Sequence, residues 1–146
     1  KGVRANMATK SESYGIVLYG HSLGATIAAN TTAEAPCSNG YVKGLVLECP
    51  MFNFGRMMET MQLPPFRFYE WPTDRFLANV RANVPVLILA AGEDKNVPSS
   101  HAKALYDTRM QHPKTVYHCF PRSGHLTIPM HPEYRKTMKS FLGSMN

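Results

Sequence analysis

Apolar positions along the chain fall into short runs separated by longer stretches with helical character. Ile16–Tyr19, Gly44–Glu48, Val84–Ala90 and Thr115–Phe120 are rich in β-branched, aromatic and leucine residues and predict four strands. The second and third are nearly continuous apolar runs, as expected of strands covered on both faces, whereas the last alternates like an edge strand. Between and after the strands, Leu23 to about Ala33, Asp74–Val80, Ser99 to about Met110 and Pro132 to about Leu142 predict helices. Pro98 and Ser99 supply a start signal and Gly143 a stop, and Tyr134, Met138 and Phe141 recur on one helical face. Strand and helix in alternation predict an α/β protein: a mostly parallel sheet flanked by helices.

The stretch from Pro50 to Pro72 breaks this rhythm. Met51, Phe52, Phe54, Met57, Met58, Met61, Phe66, Phe68, Tyr69 and Trp71 lie among prolines without a period. Two readings fit it equally: an excursion packed over the sheet, or an apolar cap facing substrate. The turn-rich piece from Pro36 to Gly40 is too short to begin a new domain. One domain over residues 1–146 is therefore expected, with residues 50–80 inserted as a cap-like or lid-like element.

Composition adds mostly exclusions. The chain has 146 residues and a net charge of +6, with sixteen Lys and Arg scattered from Lys1 to Lys139, which reads as a solvated surface and not as a nucleic-acid footprint. Cys37, Cys49 and Cys119 are far apart and lack C-x-x-C spacing, and reducing surroundings are slightly favoured. No apolar run reaches the roughly 18 to 20 residues of a membrane span, so an anchor, if any, is expected upstream of Lys1. Lys1 stands first in place of Met, and the start reads as cut or processed. A cytoplasmic or membrane-associated location is slightly favoured, and the oligomeric state is open.

Gly20-His21-Ser22-Leu23-Gly24 matches G-x-S-x-G between a predicted strand and a predicted helix. Such a turn lifts the serine hydroxyl clear of the sheet and aims the start of the helix at the reacting centre, where the Leu23 amide would meet an oxyanion. Gly20 and Gly24 are expected to be tiny because they pack against each other, with His21 buttressing the turn. Serine needs a base and a group that orients the base. Asp94 follows the third strand in Gly92-Glu93-Asp94-Lys95-Asn96-Val97-Pro98, and His125 follows the fourth in Ser123-Gly124-His125. Glu93 and Glu48 are alternative acids. His101, His112, His118 and His131 form no helical pair of the kind zinc enzymes use, so no metal is expected. No nucleotide-binding glycine motif occurs, and the implied chemistry needs no cofactor.

Together these three motifs resemble those of α/β-hydrolases, with greatest similarity to the lipase-like and serine-aminopeptidase-like members, from about Gly15 onward. The resemblance implies a Ser22, His125 and Asp94 triad acting on a small-molecule or lipid-like acyl substrate. It also marks a departure, because only twenty-one residues precede Ser22, where that family carries further strands and a loop donating the second oxyanion amide. About four C-terminal strands of a partial fold are expected, with the first strand unpaired on one side. The isolated chain is expected to be poorly stable and weakly active, which full activity toward a hydrolase probe would refute. The alternative is a catalytically impaired fragment or a non-enzymatic binding protein that keeps the fold.

Overall fold

A computed structural model describes residues 15–36, 41–64 and 70–145. Cys37, Phe66, Phe68 and Tyr69 fall outside the described residues. Four strands, β1 (Ile16–His21), β2 (Val42–Glu48), β3 (Val86–Ala91) and β4 (Thr115–Phe120), form one sheet in the order β1-β2-β3-β4, with every pair parallel. Helices α1 (Leu23–Glu34), α3 (Thr73–Asn79) and α4 (Ser99–Arg109) connect successive strands, and α2 (Phe54–Thr60) precedes α3 in the second connection. A 3-10 turn, Ile128–Met130, and α5 (Tyr134–Gly143) follow β4.

Crossovers of one hand between sequentially ordered parallel strands put their helices on one face. On that face Ala25, Ala28 and Ala29 of α1, Leu77 of α3 and Ala102 and Leu105 of α4 pack with Leu45, Leu47, Val86 and Ile88. The alanines let α1 lie close to the strands. The other face belongs to α5: Phe141, with Tyr134 and Met138, covers Val46, Leu87, Leu89 and Phe120. Every residue of β3 is buried, as its apolar run predicts, while β1 and β4 are the edges among the described residues.

Differences from the sequence expectation are local. The third strand starts at Val86, not Val84, because Pro85 has no amide to give the ladder, although its carbonyl accepts from the Leu45 amide at 2.9 Å. Helix α2 was hidden by its aperiodic surroundings, and its start is capped by Asn53, whose side chain accepts from the Arg56 amide at 2.8 Å. The fourth helix ends against a buried guanidinium: Arg109 donates to the carbonyls of Leu77 (3.0 Å), Val80 (2.7 Å) and Arg81 (2.9 Å), closing the end of α3. Burial pulls the Arg109 pKa below its ordinary value. No helix among the described residues is long and apolar enough to cross a membrane.

Candidate functional site

Ser22 stands between the last residue of β1 and the first of α1, at φ 54° and ψ −121°. A positive φ is costly for a non-glycine residue and persists only where neighbours over-determine it. Two bonds do so: the Ser22 amide donates to the Glu48 carbonyl at 2.9 Å, and the Ser22 carbonyl accepts from the Ala25 amide at 3.0 Å. Gly20 is indispensable to the turn, since a Cβ there would sit 2.2 Å from the Gly24 carbonyl oxygen. Gly24 departs from expectation, because a Cβ on it would meet nothing within 4 Å. The close approach is made by the Gly24 backbone against Gly20, so only Gly20 must lack a side chain. Leu23 opens α1, and its amide lies among the first-turn donors that a helix leaves without an internal partner.

The acid and the histidine are held by two loops that prolong the β3–β4 pairing. The Gly92 amide donates to the Phe120 carbonyl and the Glu93 amide to the Ser123 carbonyl, both at 2.9 Å. A side chain at Gly92 would collide with the Pro121 carbonyl oxygen at 2.4 Å, so glycine permits this approach. Asp94 turns inward, and its Oδ1 accepts from the Asn96 and Val97 amides at 2.8 Å each. Its Oδ2 accepts from His125 Nδ1 at 2.6 Å, with the carboxylate fully shielded from solvent. Glu93 is exposed, and buried Glu48 is engaged by the Tyr19 hydroxyl, so neither alternative acid meets His125. The Gly124 amide donates to Thr127 Oγ1 at 2.8 Å, which tightens the turn presenting His125.

His21 joins the elbow to that turn. Its Nε2 donates to the His125 carbonyl at 2.9 Å, and the two rings lie 4.6 Å apart, tilted by 58°. Ser22 is thus one residue from a side chain touching His125, while its hydroxyl makes no hydrogen bond among the described residues.

Sequence reasoning missed Cys49. It follows β2 at φ 47°, is almost completely buried, and points its Sγ at the same His125 carbonyl, 3.7 Å away. Burial, then the neighbouring Asp94 carboxylate, push its thiol up, so it is neutral at ordinary pH. One ligating atom from each of His21, Cys49 and His125 lies within 4.8 Å of the others. No spacing in the sequence signals this cluster, because three separate segments supply it.

The Met and aromatic segment reaches the acid loop: Met51 and Met57, with Phe54 and Trp71, pack on Val97. Buried His101 fastens the segment to α4, accepting from the Phe52 amide at Nδ1 (3.2 Å) and donating from Nε2 to Thr60 Oγ1 (3.1 Å). Burial, helped by the charge of Arg56, lowers its pKa and favours the neutral ring these bonds require. Two clefts, of about 360 Å³ between β4 and α5 and about 470 Å³ beside β1 and α1, contain none of Ser22, Asp94 or His125.

Four parallel strands, helices on both faces and loops gathered at the strand ends superpose on known hydrolases. An esterase from Pyrococcus furiosus matches over 90% of this chain and 55% of its own, with TM-score 0.69 and 16% identity. This is an α/β-hydrolase fold. An alpha-beta hydrolase from Vibrio vulnificus matches 88% of this chain and 49% of its own (TM-score 0.66, 15% identity). A Pyrococcus horikoshii acylaminoacyl peptidase matches 92% and 23% (TM-score 0.65, 15% identity). The chain thus spans about half the length of the esterase and of the Vibrio hydrolase it resembles. No family of known sequences and no curated protein matches it by sequence.

Proposed function

We propose that the chain carries the nucleophile, base and acid of a serine hydrolase that cleaves a carboxylic ester, thioester or amide. One observation carries this reading: a buried carboxylate bonded to His125 Nδ1, with His125 joined through His21 to the turn that holds Ser22 at positive φ. A histidine whose Nδ1 proton is fixed by a carboxylate presents Nε2 as a base. In the proposed sequence, Ser22 Oγ attacks the acyl carbon and passes its proton to that nitrogen. Oxyanion charge develops where the Leu23 amide can donate to it. Collapse expels the alcohol, thiol or amine, which takes the proton from His125 and leaves an acyl group on Ser22. Water, deprotonated by His125, then attacks the acyl carbon, and collapse releases the acid as His125 returns the proton to Ser22 Oγ.

The Met51, Met57, Phe54 and Trp71 cluster beside the acid loop favours an apolar acyl group, and on this reading residues 50–80 act as a cap. A fluorophosphonate probe followed by peptide mapping tests the nucleophile. Labelling at Ser22 that disappears in Ser22→Ala is expected, and labelling that survives the substitution overturns the assignment.

The second reading is a binding protein that keeps the fold without turnover. It draws on the exposed apolar side chains Ile16, Val17, Leu23 and Ile27 around β1 and α1. Turnover of short- and long-chain acyl esters separates the two, since a binding protein gives none at any chain length.

A further inference from the structure

Three strand ends deliver His21, Cys49 and His125 to one point. His21 closes β1, Cys49 follows β2, and His125 follows β4. The Nε2 of His21 and the Sγ of Cys49 already converge on the His125 carbonyl, at 2.9 and 3.7 Å. Two imidazoles and a thiol make a borderline-soft donor set, suited to zinc and poorly suited to calcium or magnesium. We infer that His21, Cys49 and a ring nitrogen of His125 form a binding site for Zn²⁺ that, when filled, blocks the proposed hydrolysis.

The three ligating atoms lie within 4.8 Å of one another. Tetrahedral zinc with bonds of about 2.0 to 2.3 Å wants its ligands about 3.4 to 3.6 Å apart, a closure that side-chain rotation can make. Two contacts are exchanged on binding. The His21 Nε2–H to His125 carbonyl bond breaks, and the His21 proton moves through solvent to Nδ1, freeing the Nε2 lone pair for the metal. The Cys49 proton leaves to solvent as the sulfur–metal bond forms, since coordination deprotonates a thiol outright. Where the metal takes Nε2, Asp94 keeps its bond to Nδ1 and steadies the imidazole; where it takes Nδ1, that bond is given up to the metal and the Asp94 carboxylate remains as nearby negative charge. Water completes the fourth position. With either His125 nitrogen bonded to metal, the ring can no longer carry a proton between Ser22 and a leaving group while remaining oriented by Asp94. The catalytic consequence rests on the serine-hydrolase reading, but binding does not.

Co²⁺ is the probe, because thiolate ligation gives a near-ultraviolet charge-transfer band and tetrahedral geometry gives strong visible bands, both readable without turnover. Purified chain titrated with Co²⁺ is expected to show both, with displacement by Zn²⁺, and to lose the charge-transfer band in Cys49→Ser. His21→Ala is expected to weaken binding by at least about tenfold. Absence of the band in the folded wild-type chain, or its persistence in Cys49→Ser, overturns the site. Zn²⁺ is expected to inhibit ester turnover reversibly, with relief by a chelator. Turnover that continues with the site saturated overturns the inhibitory role. A chain that binds Co²⁺ as described but hydrolyses nothing supports the metal site and counts only against the function proposed above.

Discussion

At the β3–β4 end of the sheet the acid loop and the histidine turn are bound to each other, and the groups they present are shielded from water. Around β1 and α1 the reverse holds: Ile16 and Ile27 are more than half exposed, at 53% and 54%, and Leu23 beside the serine is 42% exposed. Ser22 thus sits at the junction of a covered region and an exposed one. Asp94 and His125 are fixed by hydrogen bonds between neighbours in the sheet and by amides within three residues of the carboxylate. The Asp94–His125 pair thus draws most of its support from β3 and β4, and among the described residues its one hydrogen bond to β1 is that from His21 to the His125 carbonyl. The serine is held at its strained φ by one link to β2 and one to Ala25 of α1, so its geometry is the more sensitive of the two to that edge.

If the site works as proposed, Ser22→Ala or His125→Ala lowers kcat by about a millionfold, the first with little change in unfolding midpoint and the second with a lower one, since it strips a partner from the buried Asp94 carboxylate. Steady-state kinetics and thermal melts on the same preparations check this. Asp94→Asn costs about ten-thousandfold, because the amide can donate where the carboxylate only accepts, favouring the wrong tautomer of His125. An Asp94→Asn variant as active as the wild type would show that the buried pair is structural only.

Gly20→Ala and Gly24→Ala sharpen the contrast within the elbow. The first drives a Cβ into the Gly24 carbonyl and is expected to cost on the order of 3 kcal/mol in urea unfolding. The second enters open space within a helix and is expected to be neutral or stabilising by up to about 1 kcal/mol. Equal losses from both would restore the idea that each glycine must be small.

A fourth expectation concerns the Met and aromatic segment. Because burial lowers the folded pKa of His101, the unfolded chain takes up its proton first as pH falls below about 6.5. The stabilisation is complete above that pH and is lost progressively on acidification toward the depressed folded value. Thermal melts from pH 7.5 to about 5 should show a smaller acid loss in His101→Gln than in the wild type. An identical slope in both would remove His101 as the pH-sensitive tie between α2 and α4. The smallest effect is expected at the open edge, where Ile27→Lys should change stability by no more than about 0.5 kcal/mol.

Much of this was legible in the residues. Continuous apolar runs place β2 and β3 in the centre, alternation places β4 at an edge, and G-x-S-x-G places Ser22 on a turn. The residues alone left Asp94, Glu93 and Glu48 open, and only the folded loop shows that Asp94 is the one bonded to His125, its carboxylate held by the Asn96 and Val97 amides. Helix α2 escaped notice because no period marks seven residues among prolines, and its position is set by His101, forty-one residues beyond Thr60.

Local chemistry along the chain determined the strands, the crossovers and the strained turn, since these depend on side-chain period and on backbone freedom within a few residues. Only the folded sheet decided that Asp94 faces His125, that Arg109 closes α3, and that Cys49 joins two histidines. Those pairings link positions far apart in sequence, and their distances follow from strand register and helix packing, which no single segment encodes.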